Sequence, residues 1–322
     1  MVKNPVYSWL RIALSCLLFA FAAPSHALNI MLVNDDGCTA PGINALADAL
    51  QAAGHHIEMY APASDQSGQG TRLTLVSAGC QKLNFQVGQL DINFAKTSAE
   101  NRRCIAVATS GCKTPLPLPF IADGQRVSAS PADSALIGLQ MMSGASKPDL
   151  VISGINRGEN VGATTNHSGT VSAAVTALNH GIPAIAVSLG IPAADERYPL
   201  AAKLVVDVVA RLQTKANGGP LLPAGTGLNI NYPGSDTPKG VLFTHIGTFS
   251  TIALEPRLQK DGSINLGILM DLKPQGLAPE KISDEGIALR EGYVSISTIG
   301  SNWDATAAQN DDSRQRLGNL AP

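Results

Sequence analysis

Aromatic side chains are scarce, with seven Phe, five Tyr and two Trp in 322 residues. No basic stripe accompanies them, so neither the stacking platforms nor the electrostatic tracks of nucleic-acid binding are present. Cys-x-x-Cys pairs are lacking, which leaves zinc as a weak reading of the five cysteines. Past the N-terminus, no stretch approaches the roughly 18 uninterrupted apolar residues that suggest a membrane span, so no membrane anchor is expected in the mature chain. No internal repeat divides the sequence.

What is present begins with a basic, polar start carrying Lys3 and Arg11, followed by the apolar run Ile12 to Ala23 and then Pro24-Ser25-His26-Ala27. A short apolar core and small residues near its end read as a secretory signal over residues 1–27, cleaved after Ala27. The mature protein is then exported, periplasmic or secreted. With Lys3 and Arg11 removed, the formal charge of −2 becomes about −4. Cys38, Cys80, Cys104 and Cys112 remain, an even number that permits two disulfides in an oxidising compartment. The short gap between Cys104 and Cys112 favours that pair, and Cys38 with Cys80 follows by exclusion.

Hydrophobic periodicity organises the rest. Ile30 to Val33 reads as a buried strand, and Ile43, Leu46, Ala47 and Leu50 mark one face of a helix over about Gly42 to Ala53, ended by Gly54. The pattern predicts a strand over Ile57 to Ala61 and a polar loop from Pro62 to Gly70. A second unit runs from a helix at Ser134 to Met142, through a strand at Asp149 to Ser153, to a Gly-rich loop from Gly154 to Gly169. A helix over Thr170 to His180 and a strand over Ala184 to Ser188 follow. This alternation predicts an α/β fold with a mostly parallel sheet flanked by helices. Further strands are expected at Leu228 to Tyr232, Val241 to Ile246 and Tyr293 to Ile299. Residues 28–322 form one domain, with a disulfide-stapled surface insertion at about 80–127 and a β-rich, hairpin-containing C-terminal extension at about 248–299. From Gln309 onward the chain reads as frayed.

The chemistry concentrates where strands end. Asn34-Asp35-Asp36-Gly37 follows the first strand, and in open α/β sheets ligands bind beyond the carboxyl ends of strands. Two adjacent carboxylates there suit a hard cation, although Asp, Asn and Gly also favour plain turns. Ser67 and Asn156 lie in two other such loops. Asp35, Asp36, Ser67 and Asn156 together offer the oxygen ligands that octahedral Mg2+ or Mn2+ prefers. Ser168-Gly169-Thr170 opens a predicted helix, whose free amides and dipole favour a phosphate. Its plainer reading is a Ser168 N-cap.

These segments resemble the stationary-phase survival protein SurE family, metal-dependent 5′/3′-nucleotidases with acid phosphatase activity. The resemblance rests on ordered matches. They are Asn34-Asp35-Asp36-Gly37 with Ala40-Pro41-Gly42-Ile43; Ala61-Pro62 with Gln66-Ser67-Gly68; Ser153-Gly154-Ile155-Asn156 with Gly158 and Asn160; Ser168-Gly169-Thr170-Val171 with Ala173-Ala174; and Asn229 to Pro233 with Glu291 to Ile296. The resemblance implies a Rossmann-like sheet and a metal held by Asp35, Asp36, Ser67 and Asn156. It also implies a phosphate pocket lined by Asn160, Ser168, Gly169 and Thr170, and a homodimer or homotetramer built through the C-terminal hairpins. His167 stands where family members usually carry Tyr, and it reads either as a general acid or as a space-filling substitute.

The expected activity is hydrolysis of nucleoside monophosphates, with Asp35 and Asp36 at its centre. Whether one of the two is instead a nucleophile or general base is open at this level. Broader readings are an acid phosphatase or exopolyphosphatase, and, from another class, a nucleotide-binding protein without catalysis.

Overall fold

The structure is a computed structural model that describes residues 26–74, 82–89, 101–110 and 126–302. The signal-like apolar run, Cys80, Cys112 and the terminal segment from Gln309 lie outside the described residues. In chain order the elements are β1 (Asn29–Val33), α1 (Pro41–Ala52), β2 (His56–Pro62), β3 (Lys82–Gln89), β4 (Arg102–Ser110), β5 (Arg126–Ser128), α2 (Pro131–Met141), β6 (Leu150–Arg157), α3 (Gly169–Asn179), β7 (Ala184–Leu189) and α4 (Tyr198–Ala216). They continue with β8 (Thr226–Tyr232), β9 (Val241–Thr244), β10 (Ile252–Leu258), β11 (Ile264–Met270), α5 (Glu285–Arg290) and β12 (Val294–Gly300).

One sheet runs in the order β3-β4-β2-β1-β6-β7-β8-β12-β9, with β5 added beside β4. The stretch from β4 to β8 is parallel throughout, and antiparallel pairing appears only toward the margins, at β3, β5 and β12. From β1 the chain first builds outward through β2 and later crosses to β6 on the other side. The carboxyl ends of β1 and β6 therefore flank the topological switch point, where adjacent connections diverge and leave a crevice.

Alternation along β1 explains why both faces are covered. Ile30 and Leu32 face one apolar cluster with Ile43, Leu46 and Leu50 of α1 and Val205 and Val209 of α4. Met31 and Val33 face a second cluster with Ala135 of α2 and Val171, Ala174 and Ala177 of α3. Side chains two residues apart share a face, so a wholly apolar strand needs helices on both sides. The spacing within α1 lies buried as its period predicted. Helix α2 begins earlier than expected because Ser130 caps Asp133 N while Asp133 bonds back to Ser130 N, with Pro131 in the first turn. Helix α4 has no counterpart among the sequence expectations. Strand β6 continues to Arg157, with an irregular register against β7 between Ser153 and Asn156, so the loop expected from Gly154 starts later.

The cysteine expectations are corrected. Cys38 is bonded to Cys104, whose Cα lies 5.3 Å away, in place of the pairs Cys104 with Cys112 and Cys38 with Cys80. Proximity in sequence suggested the short loop, but pairing in the sheet decides otherwise. Cys104 sits opposite Ala61 in the parallel β2–β4 register, while Cys38 N donates to Pro62 O at 2.8 Å. Within the span expected as a surface insertion, β4 is instead an inner strand of the sheet, with Arg102, Ile105 and Ala106 buried. The C-terminal region is β-rich as expected. Strands β9 and β12 join the main sheet, whereas β10 and β11 form a separate antiparallel hairpin.

Candidate active site

The acidic loop leaves β1 into the crevice. Asn34 is fully buried, and its Nδ2 donates to Gly37 O at 2.9 Å, which curls the tetrapeptide back on itself. Gly37 takes φ +102°, and a Cβ there would lie 3.1 Å from the Ser64 backbone, so glycine permits both the turn and the close approach. Asp35 is buried, and its Oδ1 accepts a 2.5 Å hydrogen bond from Thr170 Oγ1. Its backbone carbonyl accepts from Gln66 N at 2.7 Å, docking the loop after β2 against it. Asp36 Oδ2 accepts from Arg157 N at 3.0 Å, which brings in the end of β6.

The helix α3 closes the site from the other face. Ser168 is its N-cap, with Oγ accepting from Val171 N at 3.1 Å, so the hydroxyl proton is not used in that bond. Gly169 has a steric reason: a Cβ would fall 2.7 Å from Asp35 Cβ and 2.8 Å from Pro131 Cγ. The Thr170 hydroxyl, expected among the phosphate donors, is directed at Asp35. In this arrangement Thr170 orients the carboxylate, and Ser168 stands as the cap at the N-terminus of α3.

The other expected residues fall into two groups. Asn156 is buried and donates Nδ2 to Gly158 O at 2.9 Å, which orients its Oδ1 away from that bond. Ser67 is exposed, and its hydroxyl donates to Asp65 Oδ1 at 2.7 Å. Asp65 was not among the sequence candidates, yet its charge disfavours ionisation of both Asp35 and Asp36, so it lies in the same field. An acidic residue two positions before Ser67 in a strand-end loop was the available signal. Asn160 is buried as well, its Nδ2 donating to Ser188 Oγ at 2.9 Å and its carbonyl accepting from Asn229 and Asn231 side chains. His167 lies exposed at the end of the 3-10 turn Gly162–His167, next to Ser168.

Glu285 of α5 supports this loop from below. One oxygen accepts from Gly162 N at 2.9 Å and the other from Asn229 Nδ2 at 3.1 Å. A cavity opens on the same sheet edge between the loops after β6, β7 and β8, lined by Glu159, Pro192, Pro233, Ser235 and Arg290.

Burial pushes the Asp35 carboxyl up despite the Thr170 hydroxyl. It pushes Asp36 up to about 7, with the neighbouring Asp35 charge as the second cause. Among the described residues no three His, Cys, Asp or Glu side chains form a metal-holding group, so a cation here would rest on two carboxylates and neutral oxygens. The donor chemistry fits a hard divalent ion. The oxygens are all of the right kind, and Asn34 Oδ1 is a buried acceptor without a hydrogen-bond partner.

Fold and site define a Rossmann-like α/β protein with an acidic oxygen-ligand centre facing the N-terminus of a helix at the switch point. The family model described as Survival protein SurE matches residues 30–252, and the chain belongs to the SurE family. It is 36% identical over 212 residues to 5′-nucleotidase SurE of Geotalea daltonii, covering 66% of this chain and 67% of that one. It is 32% identical to 5′-nucleotidase SurE 1 of Thermus thermophilus, covering 84% of this chain and 91% of the relative. The match to 5′/3′-nucleotidase SurE of Photorhabdus laumondii is 31%, covering 88% and 93%. The crystal structure of SurE protein from Aquifex aeolicus aligns with a TM-score of 0.62 at 27% identity, covering 89% of this chain and 98% of that one.

The raised carboxyls predict a pH dependence. Between the ordinary value of 3.8 and about 7, native Asp36 keeps a proton that the unfolded chain has released. Its contribution is therefore complete at acid pH and is lost as pH rises through that window. Glu285, moved by burial from 4.5 to about 7, acts in the same direction. Calorimetry of the metal-free protein should show a Tm that falls with rising pH across this range, with Asp36→Asn and Glu285→Gln each flattening the fall. An unchanged slope in both variants would contradict it.

Proposed function

We propose that the chain is a divalent-metal-dependent phosphomonoesterase that hydrolyses nucleoside 5′- or 3′-monophosphates to nucleoside and phosphate. The observation that carries the reading is the placement of Asp35 and Asp36, side by side and withdrawn from water, against the N-terminus of α3. The names of the relatives, 5′-nucleotidase and 5′/3′-nucleotidase, support the substrate class. A site built only to bind phosphate has no use for adjacent carboxylates, which repel it.

Asp35 and Asp36 would hold Mg2+ or Mn2+, with Asn156 Oδ1 and Ser67 Oγ completing the protein's share of the shell. For Ser67 this requires its hydroxyl to turn from Asp65, and the hydroxyl can donate to Asp65 Oδ1 again when the site empties. A bound cation supplies charge that polarises the phosphoryl group and acidifies water. Thr170 fixes the Asp35 rotamer, and Ser168 Oγ with the first α3 amides neutralises charge on the transferring phosphoryl oxygens. Asn160 shapes the pocket wall from its buried bonds to β7 and β8. The nucleoside would extend along the sheet edge toward the cavity between Glu159 and Ser235.

Two further proposals concern the whole protein. The exposed face of the hairpin is apolar: Leu254 pairs with Ile268, Pro256 with Leu266 and Leu258 with Ile264, so alternation puts these side chains together. An isolated two-stranded hairpin has little stability of its own. A second copy of this chain would cover that face, giving the dimer or tetramer. Export through the N-terminal signal is the other proposal, supported by the Cys38–Cys104 bond, which belongs to oxidising compartments.

The mature protein should release phosphate from nucleoside monophosphates, lose that activity in EDTA and regain it with Mn2+ or Mg2+. Asp36→Ala should lower turnover by more than about 100-fold while the circular dichroism spectrum is kept; full activity in that variant would overturn the reading. Combining Leu266→Glu with Ile268→Glu should give a monomer by light scattering, and an unchanged mass would exclude the hairpin interface. N-terminal sequencing of the exported product should begin at Leu28, whereas an intact Met1 in the cytoplasm would refute export.

A further inference from the structure

We infer that the Cys38–Cys104 disulfide is a positioning element for the cation site, holding the acidic loop in its ligating shape before metal arrives. The inference rests on the metal reading above and adds to it the part of the chain that sets the affinity of the site.

The bond is placed where it can act on the ligands. Cys38 lies two residues beyond Asp36, separated from it only by Gly37, whose positive φ makes it the loop's turning point. The half-cystine is 1% exposed, and its partner lies 66 residues away on β4. The bond therefore spans from the loop after β1, past β2, to the next strand outward in the sheet. Inside that span lies the Asp65–Ser67 loop, which is docked on the Asp35 carbonyl through Gln66 N.

Strand β4 grips the same loop a second time. Arg102, two residues before Cys104 and 1% exposed, donates to Asn44 Oδ1 at 2.7 Å and to Asp48 Oδ1 at 2.5 Å. Asn44 Nδ2 in turn donates to Cys38 O at 3.1 Å and Ala40 O at 2.9 Å. The sulfur and the carbonyl of one residue are thus both tied to β4, the first covalently and the second through Asn44. Cys38 N is tied to β2 through Pro62 O.

Such anchoring has a physical purpose. A cation takes oxygens held at set separations, and a loop free to open would carry Asp35 and Asp36 away from Ser67 and Asn156. A loop that opens pays for closure out of the binding free energy, which weakens the apparent affinity. The covalent tie opposes that opening directly, whereas the Arg102–Asn44 link holds only the Cys38 carbonyl and does so noncovalently.

The test is a Mn2+ titration followed by electron paramagnetic resonance, well below the unfolding temperature, on the oxidised wild type and on the double variant Cys38→Ala with Cys104→Ala. The expected result is a folded variant whose Kd for Mn2+ rises by about 10-fold or more, the scale typical of losing a support behind metal ligands. At saturating Mn2+ its kcat should return to near the wild-type value, because the ligands themselves are intact. A variant with a lower Tm but an unchanged Kd would show that the disulfide only stabilises the fold, and would overturn the inference. Should the double variant not fold, the same titration is made on wild type reduced with dithiothreitol, which gives two protons and two electrons to the bond, leaving two thiols and its own cyclic disulfide. An unchanged Kd there is equally fatal. Failure of the oxidised wild type to bind Mn2+ at all would instead overturn the metal reading, and this inference with it.

Discussion

Burying Asp35 and Asp36 together is the constraint around which the molecule is arranged. Two carboxylates withdrawn from water in adjacent positions are unfavourable unless each finds donors or a cation, and the surrounding elements supply donors one by one. Thr170 comes from the first turn of α3, Arg157 N from the end of β6, and Gly169 clears the space that lets the helix approach. The parallel sheet is what allows this. Because β1 and β6 are neighbours and run in the same direction, their ends open on one edge, and the helix that follows β6 begins at that edge.

The far half of the sheet serves the site without touching its acidic centre. Asn229 and Asn231 on β8 point to the Asn160 carbonyl, Ser188 on β7 takes its side chain, and Glu285 secures Gly162 and Asn229. Buried polar side chains in such number are tolerated because nearly every one is bonded to another. Together these bonds fasten Asn160 and Gly162, in the stretch that carries the chain from Asn156 to Ser168. On the other side of β1, the inner strand β4 does the corresponding work for the acidic loop through Cys104 and Arg102. The site is thus held from both sides by elements distant in sequence.

Much of this was legible from residue order alone. The apolar run of β1, the period of α1, the strands β7 and β8, and the loops carrying Asp35, Asp36, Ser67 and Ser168 all follow from local pattern, since burial on two sheet faces and helix capping leave local signatures. Asn156, expected in a loop, stands instead near the end of β6, paired with Ser188 of β7. Residues whose roles depend on partners far along the chain were not legible in the same way. Asp65 became part of the site only when its loop docked on Asp35, and Thr170 took up Asp35 in place of the expected anion. Helix α2 was placed late because its start is set by a Ser130–Asp133 capping box ahead of the apolar pattern.

The sequence by itself determined the fold class, the family and the oxygen-rich loops at the strand ends, because these depend on periodicity and on short motifs read in order. Only the tertiary structure decided which cysteines meet, that β4 is an inner strand, and how Thr170 and Arg157 divide their bonds between the two carboxylates. The physical reason is that pairing across a sheet is set by strand order, which local sequence does not encode. Cys104 is eight positions from Cys112 in sequence, yet it is the register between β2 and β4 that carries it to Cys38.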